Sequence, residues 1–163
     1  MGIDANDKHR GLTSSAVESR RSLYIVDAMT TPNLPFTWPI RIYWEDTDAG
    51  GVVYHGSYLR FLERARTEWL RSIGIDQSRL KTDHGLVFVV SSISVSFRRP
   101  ARLDDELLAT SKLSKRGGAS LHFQQTLIRP TSGETLLEAQ VRAACVNAQN
   151  FRPMPIPSGL FLD

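Results

Sequence analysis

A glycine-rich segment, DTDAGGVVYHG at residues 46–56, carries the residue types that acyl-transfer chemistry needs. It places the carboxylate of Asp48 in a loop that leads directly into a predicted helix. The start of a helix offers unpaired backbone N–H groups and a partial positive charge of about half a unit, which together can stabilise a carbonyl oxygen that is becoming negative. Asp48 could then attack the carbonyl carbon or take a proton from water. Many acidic, glycine-rich loops are only turns and caps, so this spacing alone is weak evidence for catalysis.

The spacing of other candidate residues argues against three alternative kinds of site. A calcium loop starting at Asp46 would meet Gly50 at its fifth position and Ser57, rather than a glutamate, at its twelfth, so we reject it. A zinc site needs clustered ligands, whereas the chain has a single cysteine, Cys145, and its histidines at positions 55, 84 and 122 are isolated from one another. No Gly-x-Ser-x-Gly motif is present. Cys145 falls in an apolar predicted strand, so we expect an unreactive core residue.

One long helix is predicted from residue 57 to residue 73, where apolar residues recur at steps of three and four and share one face. These residues are Tyr58, Phe61, Leu62, Ala65, Trp69 and Ile73. Ser57 is the predicted N-cap and Gly74 the residue that ends the helix. Charged residues are predicted to fill the solvent side: Arg60, Glu63, Arg64, Arg66, Glu68 and Arg71. Glu68 and Arg71 have the spacing of an ion pair.

The rest of the ordered chain is predicted to form strands. They are expected at residues 38–44, 92–97, 105–115, 120–129 and 135–147, separated by segments rich in Gly, Pro and Ser. Strict alternation at residues 92–97 indicates a half-buried strand of an antiparallel sheet. A run of strands without alternating helices is typical of an α+β fold, in which the long helix packs against the sheet.

Composition bounds the broad class of protein. The 163 residues, 41% of them hydrophobic, suit one globular domain, which we expect to span residues 34–163. Residues 1–33 are polar without a sustained period, so we expect a disordered extension, or upstream sequence before a start at Met29. The net charge of +3 is compatible with an anionic small ligand but too weak to indicate nucleic acid.

The expected location of the chain is the cytoplasm. A single cysteine permits no intrachain disulfide, which favours a reducing compartment. No apolar run reaches the ~18–20 residues that span a bilayer, and no stretch resembles a signal peptide. We therefore expect no stable membrane insertion.

A family resemblance is carried by RIYWEDTDAGGVVYH at residues 41–55. This stretch resembles the signature of the 4-hydroxybenzoyl-CoA thioesterase superfamily and, more narrowly, of the Tol-Pal system-associated acyl-CoA thioesterases (the YbgC family). The strings ERARTE at 63–68 and PARLDD at 100–105 fit the same branch. Ala-Gly-Gly follows Asp48 where the 4-hydroxybenzoyl enzymes have Pro-Ala-Gly, which favours the Tol-Pal-type branch. The resemblance covers about residues 36–155 and does not reach residues 1–28.

The resemblance implies a hot-dog fold, in which an antiparallel sheet of about five strands wraps around one long central helix. It also implies a homo-oligomer, either dimer or tetramer, with sites at the dimer interface. The expected reaction is hydrolysis of an acyl-CoA to a free acid and CoA without a metal or organic cofactor. Asp48 matches the catalytic carboxylate, and the N–H of His55 matches the group that binds the thioester oxygen. Tyr54 and His55 side chains are expected to line the pocket or orient Asp48.

Other residues are weaker candidates for the site. Gly51 and Val53 are expected to border the substrate, and Arg99 and Arg116 are candidates for binding the phosphates of CoA. Some hot-dog thioesterases use an acid on the long helix, but here Glu63 and Glu68 are better explained as surface charges paired with arginines.

Two alternative functions stay open at this point. One is a non-catalytic or weakly catalytic scaffold that binds acyl carrier protein or acyl-CoA in lipid metabolism. The other is a hot-dog dehydratase, for which His55 is the available histidine.

Overall fold

The computed structural model describes residues 35–161. In this range the elements are β1 (Phe36–Arg41), α1 (His55–Ser72), α2 (Gln77–His84), β2 (Leu86–Phe97), β3 (Glu106–Arg116), β4 (Ser120–Arg129) and β5 (Glu134–Asn147). A 3-10 turn, Trp44–Asp46, lies between β1 and the glycine-rich loop. The predictions made for residues 1–33 fall outside this range. No helix within residues 35–161 is long and apolar enough to cross a membrane.

The five strands form one sheet in the order β1-β3-β4-β5-β2, and every neighbouring pair is antiparallel. The α+β prediction is therefore confirmed. Along β5, buried residues alternate with exposed ones from Leu137 to Ala143, because one face of the strand packs inward and the other meets solvent. β2 begins at Leu86, six residues before its predicted start. The apolar run at residues 86–90 lacks the alternation on which that prediction rested.

Helix α1 buries the predicted stripe against the sheet through Tyr58, Phe61, Leu62 and Ala65. The stripe ends earlier than predicted, since Ile73 is 44% exposed. Gly74 ends the helix as predicted, with φ +82 and an N–H that donates to the carbonyl of Arg71 at 3.0 Å.

Two details of the helix prediction are wrong. The helix begins at His55 with Tyr54 as N-cap, so Ser57 lies inside the first turn; it is buried, and its hydroxyl accepts a hydrogen bond from Arg60. Arg66 is buried rather than on the solvent side. It borders the apolar stripe, and its guanidinium is held by the Oε1 of Gln125 at 2.6 Å and by an ion pair with Glu63.

The short helix α2 was not predicted. Its sequence has a single buried apolar residue, Leu80, so it gives no periodic signal. The capping residues at its two ends define it instead. Asp76 accepts hydrogen bonds from the N–H groups of Arg79 and Ser78, which lower the pKa of its carboxyl, and Gly85 ends the helix in the left-handed conformation.

Candidate functional site

The glycine-rich loop is a tight hairpin closed by backbone contacts. Thr47 and Val53 form an isolated antiparallel bridge at its base. Inside it, the N–H of Asp48 donates to the carbonyl of Val52 and the N–H of Gly51 donates to the carbonyl of Asp48, both at 3.0 Å. Gly51 has φ +71, a conformation that favours glycine at this point of the turn. The hairpin therefore holds Asp48 near its tip and runs directly into α1.

The Asp48 side chain is exposed and lightly constrained. Its Oδ1 accepts a hydrogen bond from the N–H of Gly50 at 2.8 Å, and within residues 35–161 the carboxylate has no other hydrogen bond or ion pair. A Cβ on Gly50 would lie 3.0 Å from this Oδ1. Gly50 thus leaves room for the carboxylate on one side, while the other side is open to a substrate or a water molecule.

Two adjacent backbone donors at the start of α1 have no partner in the described part of the chain. The N–H of Val53 donates to the carbonyl of Ala101 at 2.9 Å, and the N–H of Tyr54 donates to the carbonyl of Asp46 at 2.8 Å. The next two N–H groups, those of His55 and Gly56, donate to no group in residues 35–161. These two N–H groups lie at the N-terminus of an 18-residue helix, and the helix dipole adds positive electrostatic potential around them. Such a pair can bind a developing oxyanion.

Two aromatic side chains stand beside these donors. The rings of Tyr54 and His55 have centroids 4.3 Å apart and planes tilted by 47°. A Cβ on Gly56 would lie 2.6 Å from the Cε1 of Tyr54, so glycine at position 56 lets that ring lie across the start of the helix. Neither ring is hydrogen bonded to Asp48 in the described range, and both are exposed enough to meet a ligand.

The loop after β2 supports this segment from the side. The hydroxyl of Tyr58, on α1, accepts a hydrogen bond from the N–H of Ala101 at 2.9 Å, while the carbonyl of Ala101 holds Val53. Tyr58 and Ala101 are both buried. Burial raises the pKa of the Tyr58 hydroxyl, and the hydrogen bond from Ala101 offsets part of this rise. Sequence reasoning found Tyr58 only as a core residue, because a pattern of apolar positions does not reveal what a hydroxyl contacts.

The two arginines proposed for phosphate binding lie in different places. Arg99 follows β2, two residues before Ala101, and its Nε is 3.4 Å from the Oε1 of Glu134. Arg116 ends β3, and the residue at the opposite end of this strand, Glu106, pairs with Arg41, five residues before the glycine-rich loop. The 11 residues of this strand make ten steps, so its ends lie up to about 33 Å apart at 3.3 Å per residue. The guanidinium of Arg116 packs 5.5 Å from the ring centroid of Phe161. Within one chain, Arg116 is therefore remote from Asp48.

The remaining candidates for chemistry lie outside this cluster. Glu63 and Glu68 form ion pairs with Arg66 and Arg71, as predicted. Cys145 is buried in β5, and burial raises the pKa of its thiol, so a thiolate nucleophile is disfavoured. Among residues 35–161 no group of three His, Cys, Asp or Glu side chains is arranged to hold a metal ion.

Known sequences similar to this chain have consistent descriptions. The thioesterase-like superfamily matches residues 42–161. Acyl-CoA thioesterase YbgC of Haemophilus influenzae is 43% identical over 122 residues, which cover 75% of this chain and 88% of that protein. Acyl-CoA thioester hydrolase YbgC of Escherichia coli O6:H1 is 44% identical over 129 residues, which cover 78% of this chain and 94% of that protein.

Solved structures have the same architecture. A probable thioesterase from Bartonella henselae is 34% identical with a TM-score of 0.67, covering 77% of this chain and all of that one. A 4-hydroxybenzoyl-CoA thioesterase variant in complex with 4-hydroxybenzoyl-CoA superposes with a TM-score of 0.71 over 76% of this chain and 94% of that one. At 21% identity, this second likeness concerns the fold alone. The predicted hot-dog fold is confirmed, with the short helix α2 as an addition to the long helix α1.

Proposed function

The chain belongs to the thioesterase-like superfamily, and from this premise we propose that it hydrolyses acyl-CoA thioesters to a free acid and CoA. Relatives named as acyl-CoA thioesterases are 43% and 44% identical to it over most of their length. One observation carries the proposal: an exposed carboxylate, that of Asp48, shares a short hairpin-to-helix segment with the N–H groups of His55 and Gly56, which have no acceptor among residues 35–161.

The backbone donors act on the thioester oxygen. As a nucleophile adds to the carbonyl carbon, negative charge moves to that oxygen, and the N–H groups of His55 and Gly56 stabilise it together with the dipole of α1. Because these donors are fixed by the helix, no reorganisation is needed when the charge develops. Loss of one such donor typically costs about 10²–10³-fold in rate.

Asp48 supplies the base or the nucleophile. As a general base, it takes a proton from water while the water oxygen bonds to the carbonyl carbon; the C–S bond then breaks, and the thiolate takes the proton from Asp48. As a nucleophile, its oxygen bonds to the carbonyl carbon, the thiolate leaves and is protonated by solvent, and water then hydrolyses the mixed anhydride. Both routes consume one water and yield one acid and one thiol.

The neighbouring side chains define the approach of the substrate in this proposal. Gly51 borders the thioester, and the rings of Tyr54 and His55 line the entrance to the pocket. Val53 is buried, so it contributes through its place in the loop, where its N–H is bonded to the carbonyl of Ala101. Arg99 is placed to meet a phosphate of CoA if it exchanges its contact with Glu134. Arg116 is too distant to serve Asp48 of the same chain, so any contact it makes with CoA would come from a second copy.

The proposal includes a homodimer formed through β2, with assembly to a tetramer as a further step. β2 is an edge strand in the sheet order, and its exposed apolar side chains include Val90, Ile93 and Phe97. Long apolar edges favour pairing with another strand. We expect Ile93→Lys to lower the mass measured by light scattering to that of a monomer. An unchanged dimer mass would place the interface elsewhere.

The proposed setting is the cytoplasm, in the Tol-Pal-associated branch of the family. Acyl carrier protein is the second acyl donor to consider, since it presents the same thioester on a protein.

Thiol release from a panel of saturated acyl-CoAs tests the proposed function. We expect turnover that depends on chain length, and the profile would identify the acyl group that the site accepts. Slow turnover on every acyl-CoA, together with a stable complex with acyl carrier protein, would favour a scaffold instead. Dehydration of a 3-hydroxyacyl-CoA would favour the dehydratase.

A further inference from the structure

We propose that Asp46 is a positioning residue of the reaction, which holds the loop bearing Asp48 against the start of α1. This inference rests on the proposed function. Asp46 ends the 3-10 turn two residues before Asp48, and it is 2% exposed. A buried carboxylate is costly unless it is paired and hydrogen bonded, so its contacts indicate what it is held for.

The side chain of Asp46 joins the turn to the helix. Its Oδ2 accepts a hydrogen bond from the N–H of Tyr43 at 3.0 Å. Its Oδ1 lies 3.7 Å from the Nη2 of Arg60, in the second turn of α1, and the same Nη2 donates to the hydroxyl of Ser57 at 2.8 Å. Arg60 is itself more than half exposed, so its guanidinium sits between the buried carboxylate and solvent. The carboxylate thus connects the chain before the loop to the helix after it.

The backbone of Asp46 makes a second connection across the loop. Its carbonyl accepts the hydrogen bond from Tyr54, the N-cap of α1, at 2.8 Å. The next residue, Thr47, forms the bridge to Val53. Because the N–H of Tyr54 is engaged here, that of His55 is the first donor of the helix without an acceptor in the described range.

The positions of the two reacting parts of the site therefore both depend on Asp46. The carboxylate of Asp48 follows it by two residues, and the N–H of His55 follows its hydrogen-bonded partner Tyr54 by one. If the Asp46 side chain is removed, the turn can shift relative to the helix and change the distance between the Asp48 carboxylate and the oxyanion donors. A misplacement of about 1 Å at a reacting centre can cost about 10²-fold in rate. Because Asp46 is buried, we expect it not to touch the substrate, so substrate binding should change little.

The test compares Asp46→Ala and Asp46→Asn with Glu45→Gln in the full chain. Glu45 is the exposed neighbour in the same turn and provides a matched loss of one carboxylate. Kinetics are measured on the acyl-CoA that the wild type cleaves fastest, at a temperature where circular dichroism gives the folded fraction of each variant. We expect kcat per folded molecule to fall about 30–100-fold in Asp46→Ala, with KM within about threefold of wild type.

The asparagine variant separates charge from hydrogen bonding. Its amide oxygen can still accept from Tyr43 but no longer attracts Arg60, so we expect partial rescue, with a loss of about 3–10-fold in kcat. It also provides a folded protein if Asp46→Ala does not fold. Glu45→Gln should match the wild type.

Three results would overturn the inference. If the rates of the Asp46 variants per folded molecule equal that of Glu45→Gln, Asp46 contributes only to stability. If KM rises while kcat is unchanged, Asp46 affects binding rather than positioning. A wild type that releases no thiol from any acyl-CoA would instead refute the proposed function, and the inference with it.

Discussion

Gly50→Ala should lower activity without lowering stability, because it crowds the Asp48 carboxylate and little else. The added Cβ would lie 3.0 Å from the Oδ1 of Asp48, whereas ordinary contacts begin at 3.4 Å, so the carboxylate must move by about 0.4 Å. The backbone at Gly50 has no positive φ, so alanine is tolerated there. The perturbation is therefore confined to the position of one carboxylate.

The size of the effect follows from this displacement. A misplacement of about 1 Å can cost about 10²-fold in rate, so a shift of 0.4 Å corresponds to about sixfold in kcat if the logarithm of the rate scales with distance. Replacing glycine by alanine where the backbone permits it stabilises a protein by about 0.4–1 kcal/mol through the unfolded state. Part of this gain is offset by the contact with Asp48, so the unfolding free energy should stay within about 1 kcal/mol of wild type.

Gly118→Ala is the matched control. Gly118 also lacks a positive φ, and a Cβ there would have nothing within 4 Å among the described residues. Urea denaturation and steady-state thiol release are measured on both variants. We expect Gly118→Ala to be stabilised and fully active, and Gly50→Ala to be stable but slower. Equal activity of the two variants would refute the idea that the position of the Asp48 carboxylate limits the rate.

Two further predictions concern the support of the site. Tyr58→Phe leaves the buried N–H of Ala101 without its acceptor, so urea denaturation should show a loss of about 1–3 kcal/mol; Tyr43→Phe, at a residue 61% exposed, should lose nothing measurable. Burial raises the pKa of Asp105, but hydrogen bonds from the guanidinium of Arg129 and from a backbone N–H outweigh this and hold that pKa below its usual range. Because this pKa is lower in the folded state than in the unfolded state, the ionised carboxylate stabilises the fold above about pH 4. This stabilisation is lost as the pH falls below about 4, so urea midpoints measured from pH 5 to pH 2 should fall less steeply for Asp105→Asn than for wild type. Parallel curves would contradict that assignment.

Periodic sequence signals predicted the parts of the fold that bury one regular face. The turn residues at 116–118 and 130–133 gave the bounds of β4 as observed, and the apolar stripe gave most of α1. The helix start was misplaced by two residues because Ser57 is a good N-cap by type, whereas the chain uses Tyr54, whose backbone is held by Asp46. A tertiary contact of this kind leaves no local signature.

Buried polar groups were the part of the molecule that sequence patterns did not predict. From its residue type, Arg66 is expected on the surface. It is buried because its guanidinium donates a hydrogen bond to Gln125, 59 residues further along the chain. The loop sequence indicated Asp48 and His55 as site residues. It gave no sign that the N–H of Gly56 is a second donor without an acceptor among residues 35–161, because that follows from which neighbouring N–H groups are already bonded.

The most direct test of the central claim is the rate of thiol release by Asp48→Asn. Asparagine keeps the size of the side chain and can still accept the hydrogen bond from Gly50, but it is neither a base nor an oxygen nucleophile. Asp83→Asn, at an exposed aspartate on α2, is the matched control. We expect kcat to fall at least about 10²-fold for Asp48→Asn, with unchanged binding of a non-hydrolysable CoA thioether and wild-type activity in the control. Undiminished turnover by Asp48→Asn would contradict the assignment of Asp48 and the mechanism built on it.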